Sequence, residues 1–348
     1  MKKITVNASK AYDIIIEKGI LDRIGEIAQG LHLQGKACVI SDSNVAPLYI
    51  ERAKRSLEKS GFEVVEYVFL AGEASKNATT YVEILNFLAQ NHISRNDTLF
   101  ALGGGVCGDL TGFCAATYMR GINFIQIPTS LLACVDSSVG GKTGIDLKYG
   151  KNLAGAFYQP KAVLIDAEVL ESLPEEYFAD GMAEVIKYAM IRGEGIEKLI
   201  EEDADIEEII ARCVKIKRDV VCEDEFEGGV RKILNFGHTA GHAIEAEADF
   251  LLSHGRCVAT GMYIVTNAWE KRGLCEMGTC DILKKMLDKY GLETSCNYSP
   301  EVLCERARSD KKASGAFVDL IVPDSLGKCH IQKTSMDEFL VILKEGME

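Results

Sequence analysis

Six histidines occur among 348 residues, and three of them, His238, His242 and His254, fall in one short stretch. His238 and His242, in the run Asn235-Phe236-Gly237-His238-Thr239-Ala240-Gly241-His242, stand four apart, which puts both imidazoles on one face of a helix. Neutral imidazole is a natural ligand for Zn2+, and a catalytic zinc takes three protein ligands while keeping one position open. Spacing nominates His238 and His242 as the metal pair and leaves open whether His254 replaces one of them. The carboxylate candidate is Glu184, in Gly181-Met182-Ala183-Glu184-Val185-Ile186-Lys187-Tyr188. With Lys187 three residues on, Glu184 fits a helix-surface ion pair equally well. Arg231 and Asn235, just upstream of the histidines, suit an anion beside the metal.

A second chemical signature is Gly103-Gly104-Gly105-Val106-Cys107-Gly108-Asp109, which follows the apolar run Thr98 to Leu102 and opens a helical stretch, Leu110 to Tyr118. Glycines let backbone approach a pyrophosphate, and a helix amino terminus supplies N–H donors and partial positive charge. Gly103, Gly105 and Gly108 formally fit G-x-G-x-x-G. A Rossmann fingerprint, however, lies at the first βα turn with an acid about 20 residues on, and Asn123 to Ala133 contains no Asp or Glu. The turn reads as a dinucleotide turn of another lineage.

Between these two lies a loop rich in cations and amides: Asp136-Ser137-Ser138-Val139-Gly140-Gly141-Lys142-Thr143, then Gly150-Lys151-Asn152. Gly141-Lys142-Thr143 is not a triphosphate P-loop, because that motif needs glycine where Asp136 stands and a carboxylate there repels phosphate. Lys142, Lys151 and Asn152 remain as phosphate-reading groups. Lys217, on a helix of mixed charge, reads as solvated when taken alone.

The elements that must position these groups change character midway. Up to Leu173-Pro174 short strands alternate with helices: Ala37–Ile40, Pro47–Leu57, Glu63–Val68, Thr80–Gln90, Thr98–Leu102 and Phe124–Ile127. Such alternation predicts a parallel sheet. From Glu175 the apolar spacing is helical, over Tyr177–Arg192, Ile196–Ile200, Ile206–Val221, Thr239–Phe250, Val258–Arg272 and Cys280–Tyr290, with one extended piece at Phe317–Val322. The expectation is an α/β N-terminal domain with a Rossmann-like parallel sheet over residues 1–174, then a mostly α-helical C-terminal domain over residues 175–348. The 52 Asp and Glu exceed the 39 Lys and Arg, for a net charge of −13. That balance argues against nucleic-acid and anionic-membrane partners but not against a small anionic substrate in a locally basic pocket. No signal-peptide pattern follows Met1 and no long apolar run appears, so a membrane span is not expected. The 12 cysteines contain no C-x-x-C pair and read as small buried hydrophobes of a reducing, cytoplasmic compartment.

Taken in order, Gly103–Asp109, Tyr118–Gly121, Pro128–Thr143, Lys151-Asn152, Ala183–Tyr188, Leu234–Glu245, His254-Gly255 and Asp310-Lys311-Lys312 resemble the 3-dehydroquinate synthase family. The resemblance implies two domains with NAD on the first and zinc, or cobalt, in a cleft between them. It implies Glu184, His238 and His254 as metal ligands, with His242 turned instead toward a substrate phosphate. NAD contacts are implied at Asp42, Asn44, Glu73, Lys76, Gly104, Gly105, Val106, Asp109, Thr129, Ser130, Lys142, Lys151, Val169 and Ser172. The substrate, a small sugar-acid phosphate, would meet Asp136, Lys142, Lys151, Asn152, Lys187, Lys217, Arg231, Asn235, His242 and Lys312. Arg120 matches the arginine that, in dimeric members, reaches the neighbouring subunit's site, so a homodimer is expected. Departures are small: Thr129-Ser130 and Ser172 stand where the family usually has threonines, and Ala240 replaces a more usual Phe.

The reaction implied is the conversion of 3-deoxy-D-arabino-heptulosonate 7-phosphate to 3-dehydroquinate and phosphate. Its steps are transient oxidation by NAD, β-elimination of phosphate, re-reduction, ring opening and aldol closure. A surplus of cations over general bases suits it, because a well-placed substrate supplies much of its own catalysis.

Overall fold

Short runs of β-branched and apolar residues supply nine strands in the first part of the chain. They are β1 (Lys2–Asn7), β2 (Ala11–Ile16), β3 (Lys36–Asp42), β4 (Glu63–Phe69), β5 (Thr98–Gly103), β6 (Asn123–Pro128), β7 (Lys142–Leu147), β8 (Gly150–Phe157) and β9 (Ala162–Ile165). The computed structural model describes residues 1–249, 251–310 and 317–348, the last two of the middle span in backbone only. Seven of the strands form one sheet in the order β1-β2-β9-β6-β5-β3-β4. Only the edge pair β1–β2 is antiparallel; the rest of the sheet is parallel.

Buried parallel strands need cover on both faces, and the period of two in a strand divides the side chains accordingly. The helices of this part are α1 (Ile24–Gly30), α2 (Ala46–Lys59), α3 (Ala78–Gln90) and α4 (Gly105–Thr117). Val39, Phe100, Leu102, Ile125 and Leu164 pack with Ile50 and Leu57 of α2. The alternate residues Cys38, Leu99, Ala101 and Phe124 pack with Ile84 and Leu88 of α3 and Leu110 and Cys114 of α4. Full burial of such a side chain contributes about 1.5–3 kcal/mol relative to exposure. After the β1–β2 edge pair the chain forms β3, steps outward to β4, then returns to the other side of β3 as β5. That reversal makes the carboxyl ends of β3 and β5 a switch point, where open α/β sheets bind ligands.

Two expectations are corrected here. The segment carrying Lys142, Lys151 and Asn152 is not a loop but an antiparallel hairpin, β7–β8. The glycine turn does not precede its helix: α4 already starts at Gly105, so Gly105 and Gly108 lie inside it. A Cβ on Gly108 would lie 2.6 Å from Gln126 Oε1, so the end of that side chain would have to shift.

The second part of the chain holds α5 (Glu175–Arg192), α6 (Ile196–Glu201), α7 (Ile206–Glu223), α8 (His238–Glu247), α9 (His254–Lys271), α10 (Thr279–Lys289) and α11 (Pro300–Asp310). A hairpin of β10 (Phe317–Ser325) and β11 (Lys328–Ser335) follows, and α12 (Met336–Met347) closes the chain. Residues 1–173 and 217–225 make one compact unit, and residues 174–216 and 226–348 the other. A single division after residue 174 therefore misses one segment: from Lys217 onward, the end of α7 packs with the first unit. No helix among the described residues is long and apolar enough to cross a membrane.

Candidate active site

In the second unit the metal candidates are brought together by helices that touch through glycine. A Cβ on Gly261 of α9 would lie 2.1 Å from Gly237 O, and one on Gly241 of α8 would lie 3.0 Å from Cys257 O. Gly237 also has a φ of +77°, a left-handed conformation that glycine adopts without strain, and it starts α8 at His238. Backbone-to-backbone packing of α8 and α9 thus carries His238, His242 and His254 to one place. Asp180 of α5 fixes the start of α9, its Oδ1 accepting the N–H groups of Gly255 at 2.5 Å and Arg256 at 3.3 Å. One turn later on the same face of α5, the Glu184 carboxylate faces His254.

The donor set fits a divalent cation. Glu184 Oε1 lies 3.6 Å from His238 Nε2 and 3.6 Å from His254 Nε2. That is too long for a hydrogen bond but close to the separation of two ligands on one tetrahedral ion, about 3.3–3.6 Å for bonds of about 2.0–2.2 Å. Both ring orientations are held from behind. His238 Nδ1 lies 3.0 Å from Phe236 O, and His254 Nδ1 lies 3.3 Å from Glu245 Oε2. In the neutral form of each ring, a proton on Nδ1 toward its oxygen would leave Nε2 as the lone-pair donor. The three imidazoles also form a cluster whose nitrogens lie within 4.8 Å of one another, so a three-histidine site is the competing arrangement. The buried Glu184 carboxylate is the observation that favours Glu184, His238 and His254. Glu184 is 1% exposed, and its Oε1 is equidistant from His238 Nε2 and His254 Nε2.

Electrostatics agree with a site built for a cation. Burial pushes the His238 imidazole down to about 3, so it is neutral and ready to ligate. Burial acts on His254 in the same direction, but the flanking Glu184 and Glu245 carboxylates outweigh it and raise its pKa to about 10, so with no cation present this ring holds a proton that a metal would displace. Lys187, also buried, pairs with Glu184.

A cavity of about 570 Å³ opens beside the histidines. Its wall includes Glu227, Lys232, Asn235, His238, His242, Asp319 and Lys333. Asn235 Nδ2 donates to Glu227 Oε1 at 3.0 Å, and Lys232 pairs with Asp319 at 2.7 Å. Arg231, only 1% exposed, is not among these wall residues. Lys312 lies outside the described residues.

In the first unit, the predicted nucleotide residues collect at the carboxyl ends of the strands. Asp42 ends β3 and its Oδ1 accepts the N–H groups of Asn44 at 2.9 Å and Val45 at 3.1 Å. Gly104 caps α4 without any side-chain hydrogen bond to the helix, which suits anion binding at that end. A Cβ on Gly104 would sit 3.3 Å from Ser130 Oγ, so Ser130 closes over the turn, and Thr129 N donates to Gly103 O at 3.0 Å. Val169 and Ser172 lie in the short helix after β9 and are tied to α2 by the Tyr49 hydroxyl, 2.6 Å from Ser172 Oγ.

The cationic residues of this unit form two networks. Lys76 Nζ donates to Asp109 Oδ2 and to Asn152 Oδ1, each at 2.6 Å. Burial works against that ammonium, but Asp109, Glu73 and Asp146 outweigh it and hold its pKa above the lysine range. Burial pushes the Asp109 and Glu73 carboxyls up. Lys151 lies 3.9 Å from Glu73. Lys217, far from solvated, is 6% exposed and donates to Asp136 O at 2.7 Å while pairing with its carboxylate at 2.8 Å. Arg120 stands apart: it is exposed, with a φ of +66°, beyond the far end of α4 from the glycine turn.

Some functional residues had not been singled out. Asp180 and Glu245 hold the metal candidates, and Glu227, Lys232, Asp319 and Lys333 line the cavity. Glu245 lies seven residues after His238 on the same helical face, a spacing that could have flagged it. The β10–β11 residues carry no comparable local signal.

Comparison with known proteins places the chain in a family. Residues 66–180 match the 3-dehydroquinate synthase N-terminal family model, and residues 181–313 match the C-terminal one. The chain is 45% identical to the 3-dehydroquinate synthase of Lactococcus lactis subsp. cremoris (strain MG1363), covering 99% of this chain and 100% of the relative. It is also 45% identical to the 3-dehydroquinate synthase of Clostridium acetobutylicum, over 94% of this chain and 95% of the relative. In fold it is similar to 2-deoxy-scyllo-inosose synthase solved with carbaglucose-6-phosphate, NAD+ and Co2+, with a TM-score of 0.89 at 24% identity, over 99% of this chain and 100% of that one. A similar likeness holds for 2-epi-5-epi-valiolone synthase from Streptomyces hygroscopicus subsp. jinggangensis 5008 with NAD+ and Zn2+, with a TM-score of 0.88 at 22% identity, over 99% of this chain and 98% of that one. The chain belongs to the 3-dehydroquinate synthase family.

Proposed function

We propose that the chain converts 3-deoxy-D-arabino-heptulosonate 7-phosphate into 3-dehydroquinate and inorganic phosphate, with NAD and zinc or cobalt as cofactors. The observation that carries this reading is the buried Glu184 carboxylate, 3.6 Å from two imidazole nitrogens whose tautomers are held from behind. When bound, the cation would supply Lewis acidity toward the substrate's vicinal hydroxyls, and NAD would supply reversible hydride transfer.

The remaining work is positioning. Asn235, steadied by Glu227, and His242 present hydrogen-bonding groups into the cavity for the substrate's anionic ends. Lys187, buried beside Glu184, pairs with its carboxylate and holds it in place. Asp136, Lys142, Lys151, Asn152, Lys217 and Lys312 belong to the same set of substrate contacts, and Arg231 is assigned the substrate carboxylate because its planar fork matches that group. Asp42, Asn44, Glu73, Lys76, Gly104, Gly105, Val106, Asp109, Thr129, Ser130, Val169 and Ser172 hold the nucleotide. The reading includes a cytoplasmic homodimer in which Arg120 serves the neighbouring subunit.

The test is to supply the heptulosonate phosphate with zinc and a catalytic amount of NAD, and to follow phosphate release and NADH absorbance. Phosphate should appear in many-fold excess over NAD with no build-up of NADH. Turnover only of a carboxylate-free sugar phosphate would make the chain an inosose- or valiolone-type cyclase. NADH formed in step with product would make it a polyol dehydrogenase.

A further inference from the structure

The two imidazoles facing Glu184 are braced by chemically different partners. Behind His238 is a neutral peptide carbonyl, Phe236 O at 3.0 Å, and behind His254 is a carboxylate, Glu245 Oε2 at 3.3 Å. Glu245 is only 5% exposed, and it lies on α8, the helix that also carries His238 and His242. A buried carboxylate is costly unless something positive answers it. Lys187 pairs with Glu184, and Glu245 lies on the other side of the His254 ring. His254 lies between the two carboxylates, with Nδ1 toward Glu245 and Nε2 toward Glu184.

We propose that Glu245 is a positioning residue for the metal: by accepting the Nδ1 proton of His254 it fixes that ring as an Nε2 donor and adds the buried negative charge that sets the site's affinity for a divalent cation. The inference rests on the metal site assigned above. Carboxylates behind ligating histidines typically contribute 10- to 100-fold to metal affinity. Charge and hydrogen bonding are separable, because glutamine keeps an acceptor for the Nδ1 proton and removes the charge, whereas alanine removes both.

The experiment measures Zn2+ affinity by competition with a chromophoric chelator for the unsubstituted protein, Glu245→Gln and Glu245→Ala, together with the visible absorption bands of the Co2+-loaded forms. Far-UV circular dichroism and metal-free melting check the fold. The expected result is a fall in affinity of about 10- to 100-fold for Glu245→Ala, a smaller fall for Glu245→Gln, and altered Co2+ bands for Glu245→Ala. Affinities within twofold of the unsubstituted protein and unchanged Co2+ bands would overturn the proposal, because a merely structural contact moves melting but not the ligand field. If Glu245→Ala does not fold, Glu245→Gln alone decides: equal affinity overturns the proposal and weaker binding supports it. No turnover is read, so an active, metal-binding protein whose Glu245 variants bind equally well sinks this inference alone. An unsubstituted protein that takes up no cation sinks the metal site as well.

Discussion

His238 and His242 both line the cavity, and the imidazole nitrogens 3.6 Å from Glu184 Oε1 are those of His238 and His254. Substitutions should therefore separate the three rings. His254→Ala and Glu184→Ala should abolish metal uptake, whereas His242→Ala should retain the metal and slow turnover, with metal content read by elemental analysis of the purified protein. Loss of the metal from His242→Ala would favour the three-histidine arrangement instead. Arg231→Lys should leave metal content unchanged and raise KM at least tenfold, on the order of 1.4 kcal/mol, since lysine keeps the charge but loses the fork. Unchanged kinetics would remove Arg231 from the site. At this scale the sequence was informative about types and poor about partners. The i, i+4 spacing placed His238 and His242 on one helix, but the choice of ligands depends on Glu184, more than 50 residues earlier. Lys217 misled for the same reason, its charged end being met by Asp136 from a distant segment.

Elements position these groups through contacts that leave no room for side chains. A methyl on Gly261 would collide with Gly237 O at 2.1 Å and force α8 and α9 apart. Gly261→Ala should cost about 1–3 kcal/mol by overpacking and should weaken metal binding along with stability. Gly30→Ala, where a Cβ meets nothing within 4 Å, is the control and should change stability by under about 1 kcal/mol. Melting temperature and metal affinity, measured on both variants, check this; a Gly261→Ala protein that keeps native affinity would mean the helices can yield. Asp180→Ala should remove about 1 kcal/mol of capping from α9, with a loss of metal affinity because His254 is the first residue of that helix. Local patterns made most of these elements legible: the apolar run of β5, the helical spacing of α5 and α7, the extended start of β10. The β7–β8 hairpin was not, because its glycines and charges look like loop until the pairing of Lys142 with Phe157 is known. The start of α9 was hidden too, since its cap comes from Asp180, on another helix.

At the scale of the whole chain, the division of labour follows the two units. Every proposed metal donor, Glu184, His238 and His254, belongs to the second unit. The glycine turn, Asp42 and the Lys76–Asp109 pair belong to the first. The change from βα alternation to helical spacing falls near residue 174, but it gives no sign of the grouping of residues 217–225 with the first unit, because nothing within one continuous amphipathic helix marks where its packing partner changes. The partition makes the two cofactors separable by where they protect the backbone. A ligand that binds only the folded state adds about 2.7 kcal/mol at a hundredfold excess over its dissociation constant, and local opening reports that gain where the contacts are made. Hydrogen exchange should therefore show that zinc alone slows amides of α5, α8 and the first turn of α9. NAD alone should slow those of the β5–α4 turn and the end of β3. A chelator should reverse the first pattern and leave the second. Zinc protection confined to the glycine turn, or NAD protection confined to the histidine helices, would mean that the donors have been assigned to the wrong cofactors.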